Sequence, residues 1–427
     1  MLTVAEETLK DLAEGRGKQV ATHLYGQEVN AETYAIAKAD FLLKGEGEAA
    51  DNLVGGPEWS TLAHDAFPSR EFDFMLSNPP YGKSWKSDQE RMGGKAGIRD
   101  PRFVIAHADD PEYGLITRSS DGQMMFLASM LSKMKQGNAP GSRIAEVHNG
   151  SSLFTGDAGQ GESNIRRWII ENDWLEAIVA LPLSMFYNTG IATYVWVLTN
   201  RKHAHRRGKV QLIDATSWFR PLRKNLGKKN CELSEDDITR ICNEFLNFEE
   251  TEQSKIFDNA EFGYWKVTVE RPLRARGIDL HRAYSPKEIK ALKDNGRIGE
   301  DGAPVIRRIH KGDKAEADPL HGRFPALIGN KACVLEYEPD SDLRDTETVP
   351  LIEPGGIEAF FRREVLPHAP DAWIDEAKTA IGYEISFARC FYKPQPLRSL
   401  TEIRADILAI EKETEGLMAA ILGADAL

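Results

Sequence analysis

Cysteine is scarce and scattered: the 427-residue chain has four, Cys231, Cys242, Cys333 and Cys390, and no Cys-x-x-Cys pair. That spacing argues against a zinc ribbon or a disulfide framework and fits a reducing, cytoplasmic setting. Long apolar runs are also missing. The longest, around Leu175 to Tyr187, is interrupted by Glu176 and Pro182, and no charged-then-apolar leader opens the chain. Neither a membrane span nor export is expected. Positive charge is in deficit, with a net charge of −12 and a pI near 5.5. Affinity for nucleic acid comes mostly from Lys and Arg on phosphates, so any such contact must be local or shared with a partner.

What is present is enough apolar residue for a sizeable core, 41% of the chain, over a length that exceeds one ordinary domain. The most informative stretch is Phe72-Asp73-Phe74-Met75-Leu76-Ser77-Asn78-Pro79-Pro80-Tyr81-Gly82. A mostly apolar hexamer, long enough for a buried strand, runs into a rigid polar turn. Two prolines contribute no N–H and fix φ, and each biases the residue before it towards extended geometry, so the turn is rich in acceptors and poor in freedom. Asn78 adds a side-chain carbonyl and Tyr81 a ring face, which suits a flat, NH2-bearing ring held by two acceptors and stacked on an aromatic. Average residue usage gives Asn-Pro-Pro-Tyr odds of roughly one in several hundred in a chain this long.

Upstream, Met1 to about Ala13 reads as a helix with Leu2, Ala5, Leu9 and Leu12 on one face, ended by Gly15 and Gly17. Val20 to Gln27 is a short strand delivering Glu28, and Ala31 to Leu43 is the next helix. This is the second half of a nucleotide-binding βαβ unit, in which an acidic residue at the strand end accepts from ribose hydroxyls. The glycine-rich loop of such a unit falls before Met1 by this spacing. Gly15-Arg16-Gly17 is no substitute, because it closes a helix where the fingerprint must open one. Asp65 precedes the Phe72 strand and reads either as an acceptor for an adenine amino group or as a solvated loop carboxylate.

Lys83 to Gln123 is expected to be a long polar loop, followed by a helix from Met124 to Lys135 and a strand from Arg143 to His148. Gly156-Asp157-Ala158-Gly159-Gln160-Gly161 lacks a lysine suited to a phosphate loop and reads better as a flexible connection capped by Ser163. Trp174 to Leu181 and Ile191 to Thr199 are β-rich runs flanking Phe186-Tyr187-Asn188-Thr189-Gly190, and Lys209 to Asp214 adds a short strand. An α/β sheet whose edge ends in an antiparallel hairpin is expected. Between Arg201 and Lys229 lie ten Lys or Arg and a single acid, Asp214. That island reads as a phosphate track, with Arg201, Lys202, Arg206 and Arg207 as candidates, or as solvated charge. His203 and His205 have ligand spacing without an accompanying carboxylate or cysteine, and no metal is expected. Near the end, Leu400, Ile403, Ile407, Ile410, Thr414, Leu417 and Ile421 recur every three or four residues behind a Ser399-x-x-Glu402 capping box, as in a helix that pairs with another helix.

Taken together, the Asn-Pro-Pro-Tyr turn, Leu24-Tyr25-Gly26-Gln27-Glu28-Val29-Asn30 and Phe186-Tyr187-Asn188-Thr189-Gly190-Ile191 resemble the modification (M) subunit of type I restriction-modification systems, an adenine-N6 DNA methyltransferase. Tyr337-Glu338-Pro339-Asp340-Ser341-Asp342-Leu343-Arg344-Asp345 and Pro370-Asp371-Ala372-Trp373-Ile374 extend the resemblance into the tail. It implies a Rossmann-like class I S-adenosylmethionine-dependent α/β sheet, its central first strand absent, with an α-rich C-terminal tail region. The implied division is a catalytic domain over 1–270, a family-specific region over 271–395 and a docking helix over 396–427.

The resemblance further implies that Glu28, Asp65 and Asn78 hold S-adenosylmethionine, that Asn78, Pro79, Pro80 and Tyr81 grip the target adenine, and that Phe186 or Tyr187 meets its other side. Implied partners are double-stranded DNA, a specificity (S) subunit, a second M subunit and a restriction (R) subunit. The family carries an N-terminal helical domain and a glycine-rich loop ahead of its Glu28 counterpart, so weak cofactor binding by this chain alone is expected. Two rival readings fit the same residues: a methyltransferase for a protein glutamine or an RNA guanine, since the same clamp grips any planar amide or amine, and a non-catalytic scaffold.

Overall fold

The computed structural model describes residues 1–44, 50–137, 140–187, 189–312, 314–392 and 399–422. The chain divides into two units, Met1–Ser386 and Phe387–Leu427. The first opens with α1 (Leu2–Glu14), β1 (Gly26–Glu28), α2 (Ala31–Leu43), β2 (Leu53–Gly55) and β3 (Phe74–Ser77). Asn30 starts α2 by accepting the Thr33 N–H on its side chain. The strand expected from Val20 is only three residues long, pairing in parallel with β2 over Gly26–Glu28. In β2, a Cβ on Gly55 would lie 2.3 Å from the Tyr34 ring, so glycine is what lets α2 approach this closely.

Next come α3 (Lys86–Arg91), a hairpin of β4 (Val104–His107) and β5 (Asp110–Gly114), α4 (Gln123–Leu131), β6 (Arg143–Asn149) and α5 (Gly161–Glu171). They are followed by β7 (Leu175–Leu181), β8 (Thr193–Thr199), β9 (Lys209–Asp214), the hairpin β10 (Arg220–Leu226) and β11 (Lys229–Glu232), α6 (Glu235–Asn247), β12 (Ser254–Asp258) and β13 (Gly263–Glu270). Six strands form the main sheet in the order β12-β9-β7-β8-β6-β3. β3, β6, β7 and β9 run parallel, and β8 and β12 run against them.

The β7–β8 hairpin is therefore inside the sheet and not at its edge as expected, since β9 and β12 lie beyond it. The physical reason is that β7 is buried at all seven positions, which requires neighbours on both sides and cover on both faces. Val179, Leu181, Ile213, Ala215 and Trp218 form a core cluster there, with Ile241 and Phe245 of α6 packed on it. At the other edge β3 pairs only with β6 among the described residues, and Phe74 is 66% exposed. The strand ending at Glu28 and the strand ending at Ser77 thus do not pair, and β1 and β2 form a separate two-stranded sheet.

Two other expectations are corrected. The 83–123 segment is ordered around buried Trp85, Ile98, Phe103, Tyr113 and Leu115. Arg102 holds it in place by donating to the Thr61 and Leu62 carbonyls and to Ser129, while paired with Asp100. These apolar residues are spaced irregularly through polar sequence, so no periodic signal marks them. Ser163 lies inside α5, which starts at Gly161, and its hydroxyl accepts the Tyr383 N–H. A Cβ on Gly161 would sit 2.1 Å from the Ile116 carbonyl, so that glycine serves close packing.

From 271 to 386 strands dominate. β13 lies between Asp345–Pro350 and Trp373–Tyr383, and Lys331–Tyr337 lies between Ile306–Lys311 and Phe324–Ile328. Fully buried Arg166 on α5 joins this part to the main sheet, donating to the Ser152, Thr155 and Tyr383 carbonyls. In the second unit Ser399 and Glu402 cap the helix Leu400–Leu422 reciprocally, as expected. Leu400, Ile403, Ile407 and Ile410 are exposed along it. The side chains of Leu417 and Ile421 lie outside the described residues. No disulfide joins any of the four cysteines.

Candidate active site

The strand register places three segments along one edge of the main sheet. Ser77, the last residue of β3, pairs with Glu146, and the Asn78-Pro79-Pro80-Tyr81 turn leaves from there. Asn149 at the end of β6 pairs with Thr193, as does Leu181 at the end of β7. The connection 182–192 therefore opens on the same edge, two to three strand spacings from β3, or about 10–14 Å.

Within the turn Asn78 and Pro80 are exposed, Pro79 is buried and Tyr81 is partly buried. The Tyr81 hydroxyl donates to Asn78 Oδ1. Burial, and secondarily the nearby Glu146 charge, push the Tyr81 phenol up to about 12, so it remains a neutral donor at physiological pH. Gly82 at φ +59° carries the chain away. Asn78 thus presents a side-chain acceptor that already holds one exchangeable O–H.

Beneath the turn is a pair that the sequence pattern did not single out. Glu146 and His148 are completely buried, with His148 Nε2 3.0 Å from Glu146 Oε2. His148 Nδ1 lies 3.2 Å from Gln123 Oε1, and the Gln123 amide donates to Asp121, Asn149 and Ser151. Glu146 Oε1 and the Nε1 of Trp196, its cross-strand neighbour on β8, are buried without a hydrogen-bond partner among the described residues. The available signal was alternation: Ile144, Glu146 and His148 share one face of β6, so a charged residue and a histidine occupy core positions.

Around the cofactor candidates Glu28 and Asp65, Gln27 donates to the Trp59 and His64 carbonyls and accepts the Ala66 N–H, tying the loop that carries Asp65 to the end of β1. One Glu28 oxygen accepts the Asn30 N–H. The other has no partner among the described residues, which fits a ribose hydroxyl. Asp65 fits less well. Its carboxylate is held by Lys133 at 2.5 Å and by the Phe67 N–H, because its side chain turns inward to 10% exposure and needs a counter-charge.

The target-base candidates separate as well. Phe186 packs on the Val179–Trp218 cluster, whereas Tyr187 is 58% exposed; Asn188 lies outside the described residues. Of the phosphate candidates, Lys202 and Arg206 are corrected. Lys202 is buried against Asp173 and the Lys209 carbonyl. Arg206 is buried between the Phe245 and Phe248 rings, 4.3 Å from each centroid, with Gln211 and Glu176 beside it. Charge counted along the chain cannot tell an outward cation from one folded under the sheet. Arg201 is exposed but donates to the Asn200 and Gln136 carbonyls, and Arg207 is exposed. His203 and His205 stack at 6.0 Å, and no set of three potential metal ligands occurs among the described residues.

A family model described as N-6 DNA Methylase matches residues 1–270, well over half of the chain. The chain belongs to this family. Among curated relatives, it is 26% identical over 282 residues to the methylase subunit of the type I restriction enzyme MjaIX from Methanocaldococcus jannaschii. That match covers 66% of this chain and 44% of the relative. It is also 26% identical over 232 residues to the MpnII methylase subunit of Mycoplasma pneumoniae, covering 53% of this chain and 38% of that protein. The chain spans less than half the length of either relative. Among solved structures, the type I restriction-modification methyltransferase subunit from Streptococcus thermophilus aligns with TM-score 0.45 and 26% identity over 56% of this chain and 45% of that one.

Proposed function

We propose that this chain is the catalytic part of a type I modification subunit and methylates adenine N6 in DNA, with S-adenosylmethionine as methyl donor. The observation that carries this reading is the Asn78–Tyr81 turn, an acceptor clamp at the carboxyl end of β3 on the same sheet edge as the loop bearing exposed Tyr187.

An adenine stacked in a duplex cannot reach a methyl donor, so the base is extruded, at a cost of a few kcal/mol that an aromatic slot offsets. Tyr81 supplies a ring face. The exocyclic nitrogen is a weak nucleophile because its lone pair is delocalised into the ring. Asn78 Oδ1, exchanging the Tyr81 O–H for a substrate N–H, and the Pro79 carbonyl draw that nitrogen towards tetrahedral geometry and stabilise the charge that develops on it. S-adenosylmethionine supplies an electrophilic methyl group when bound, and Glu28 is the residue suited to its ribose. DNA, a specificity subunit, a second modification subunit and a restriction subunit are the proposed partners, acting in the cytoplasm.

The test is Asn78→Ala in the assembled complex. N6-methyladenine formation should fall by about 10²–10³-fold, as when a preorganised polar contact to developing charge is removed, with duplex affinity retained. Undiminished methylation by that variant would sink the assignment.

A further inference from the structure

The hairpin β10–β11 carries Arg220, Arg223, Lys224, Lys228 and Lys229 against a single acid, Glu232. Arg220 is paired with Glu232 at 2.8 Å. Arg223, Lys224 and Lys228 are exposed and Lys229 is partly so, and none of these four has an ion-pair partner among the described residues. In a protein of net charge −12 this is a local inversion of sign on a projecting element. β10 alone spans about 20 Å at about 3.3 Å per residue.

Its attachment matters as much as its charge. The Lys228 N–H donates to the Tyr187 carbonyl at 3.0 Å, the Asn230 N–H to the Ser184 carbonyl at 3.0 Å, and the Cys231 thiol to the Leu183 carbonyl at 3.2 Å. Gly227, at φ +62°, makes the tight turn that brings Lys228 against Tyr187. The hairpin is thus hydrogen-bonded to the loop that carries the exposed aromatic candidate for the target base.

We propose that β10–β11 is a DNA-backbone rail, with Arg223, Lys224, Lys228 and Lys229 binding phosphates beside the extruded base and the main-chain bonds to Leu183, Ser184 and Tyr187 setting the loop's position relative to that backbone. The occupant follows from charge complementarity: a polyanion with one charge per about 1.7 Å of axis matches a row of unpaired cations better than a protein face of mixed sign. The proposal rests on the methyltransferase reading. It moves the phosphate contacts from buried Lys202 and Arg206 to the hairpin.

The experiment uses the 427-residue chain and a fluorescent 25-base-pair duplex of random sequence, with anisotropy titrations from about 20 to 200 mM salt. One variant carries Arg223→Ser, Lys224→Ser and Lys228→Ser. A charge-matched control carries Lys287→Ser, Lys290→Ser and Lys293→Ser, exposed on the helix Pro286–Asp294. The hairpin variant should weaken binding at low salt by about tenfold or more and flatten the slope of log affinity against log salt by about 2–3 units, at roughly 0.9 for each phosphate no longer neutralised. The control should leave the slope unchanged.

An equal change in both variants would reduce the effect to net charge and overturn the proposal. An unchanged slope in the hairpin variant would overturn it too and leave the cations to an acidic protein surface, as would no duplex binding by the parent chain at the lowest salt. Thermal melting should be the same for all three proteins, because the replaced side chains are exposed. N6-methyladenine loss in Asn78→Ala tests the methyltransferase reading separately, so either idea can fail without the other.

Discussion

Replacing Tyr81 separates the two roles of its side chain. The ring is a stacking face for the proposed base, and the hydroxyl occupies Asn78 Oδ1, the acceptor the substrate amine needs. Tyr81→Phe removes a hydrogen bond worth about 0.5–1.5 kcal/mol net in the free protein. The bound state must break that bond anyway, so the variant is spared its cost, and kcat/KM should hold or rise by no more than about tenfold. Tyr81→Ala also removes the ring, at about 1–3 kcal/mol for a stacked base. That corresponds to a fall of about 5- to 150-fold. Both are measured as initial rates of methyl incorporation at sub-saturating duplex in the assembled complex, with denaturant midpoints confirming the fold. Equal losses in the two variants would refute the stacking role and make the hydroxyl itself the functional group.

Three further outcomes are expected. Burial pushes the Tyr81 and Tyr113 phenols up to about 12, so the folded chain holds protons that the unfolded chain loses near pH 10; the stability these groups contribute is intact below pH 10 and is lost as pH rises from 10 to 12. A Tyr81→Phe/Tyr113→Phe variant should therefore show a shallower fall of Tm over that window, and an unchanged slope would mean the rings are hydrated. Arg206→Ala should destabilise by about 1–3 kcal/mol in chemical denaturation, because the Gln211 side-chain oxygen and the Phe245 carbonyl lose their donor between the Phe245 and Phe248 rings, while Arg143 still neutralises Glu176. A stable Arg206→Ala protein with weakened duplex binding would show that the guanidinium faces DNA after all. Deleting 399–427, the segment with the exposed Leu400, Ile403, Ile407 and Ile410 stripe, should abolish co-purification with a specificity subunit while the melting transition persists; retained assembly would place the partner surface elsewhere.

Local signals carried far in this chain. Strand β7 follows from an apolar run broken only at Glu176, the tail helix from Ser399 and Glu402, and the Asn78–Tyr81 turn from the rigidity of two adjacent prolines. Each depends on residues within one or two turns of each other, so no long-range partner is needed to read it. The 83–123 segment was not legible in that way. Its order comes from Arg102 reaching the carbonyls of Thr61 and Leu62 about forty positions away and from single apolar side chains entering a core built elsewhere.

The same distinction runs through the site. The sequence by itself determined the rigid Asn78–Tyr81 turn, the acidic residue at the end of β1 and the sign of the charge between Arg201 and Lys229, because residue type and spacing are enough for these. Only the tertiary structure decided which charges face outward: Lys202 and Arg206 turn under the sheet, Asp65 is taken by Lys133, and the unpaired cations stand on β10–β11. It also decided that Glu146 and His148 meet, fully buried, beneath Tyr81. A buried charge needs a partner close in space, and here that partner is two residues along the chain for the Glu146–His148 pair and sixty-eight for the Asp65–Lys133 pair.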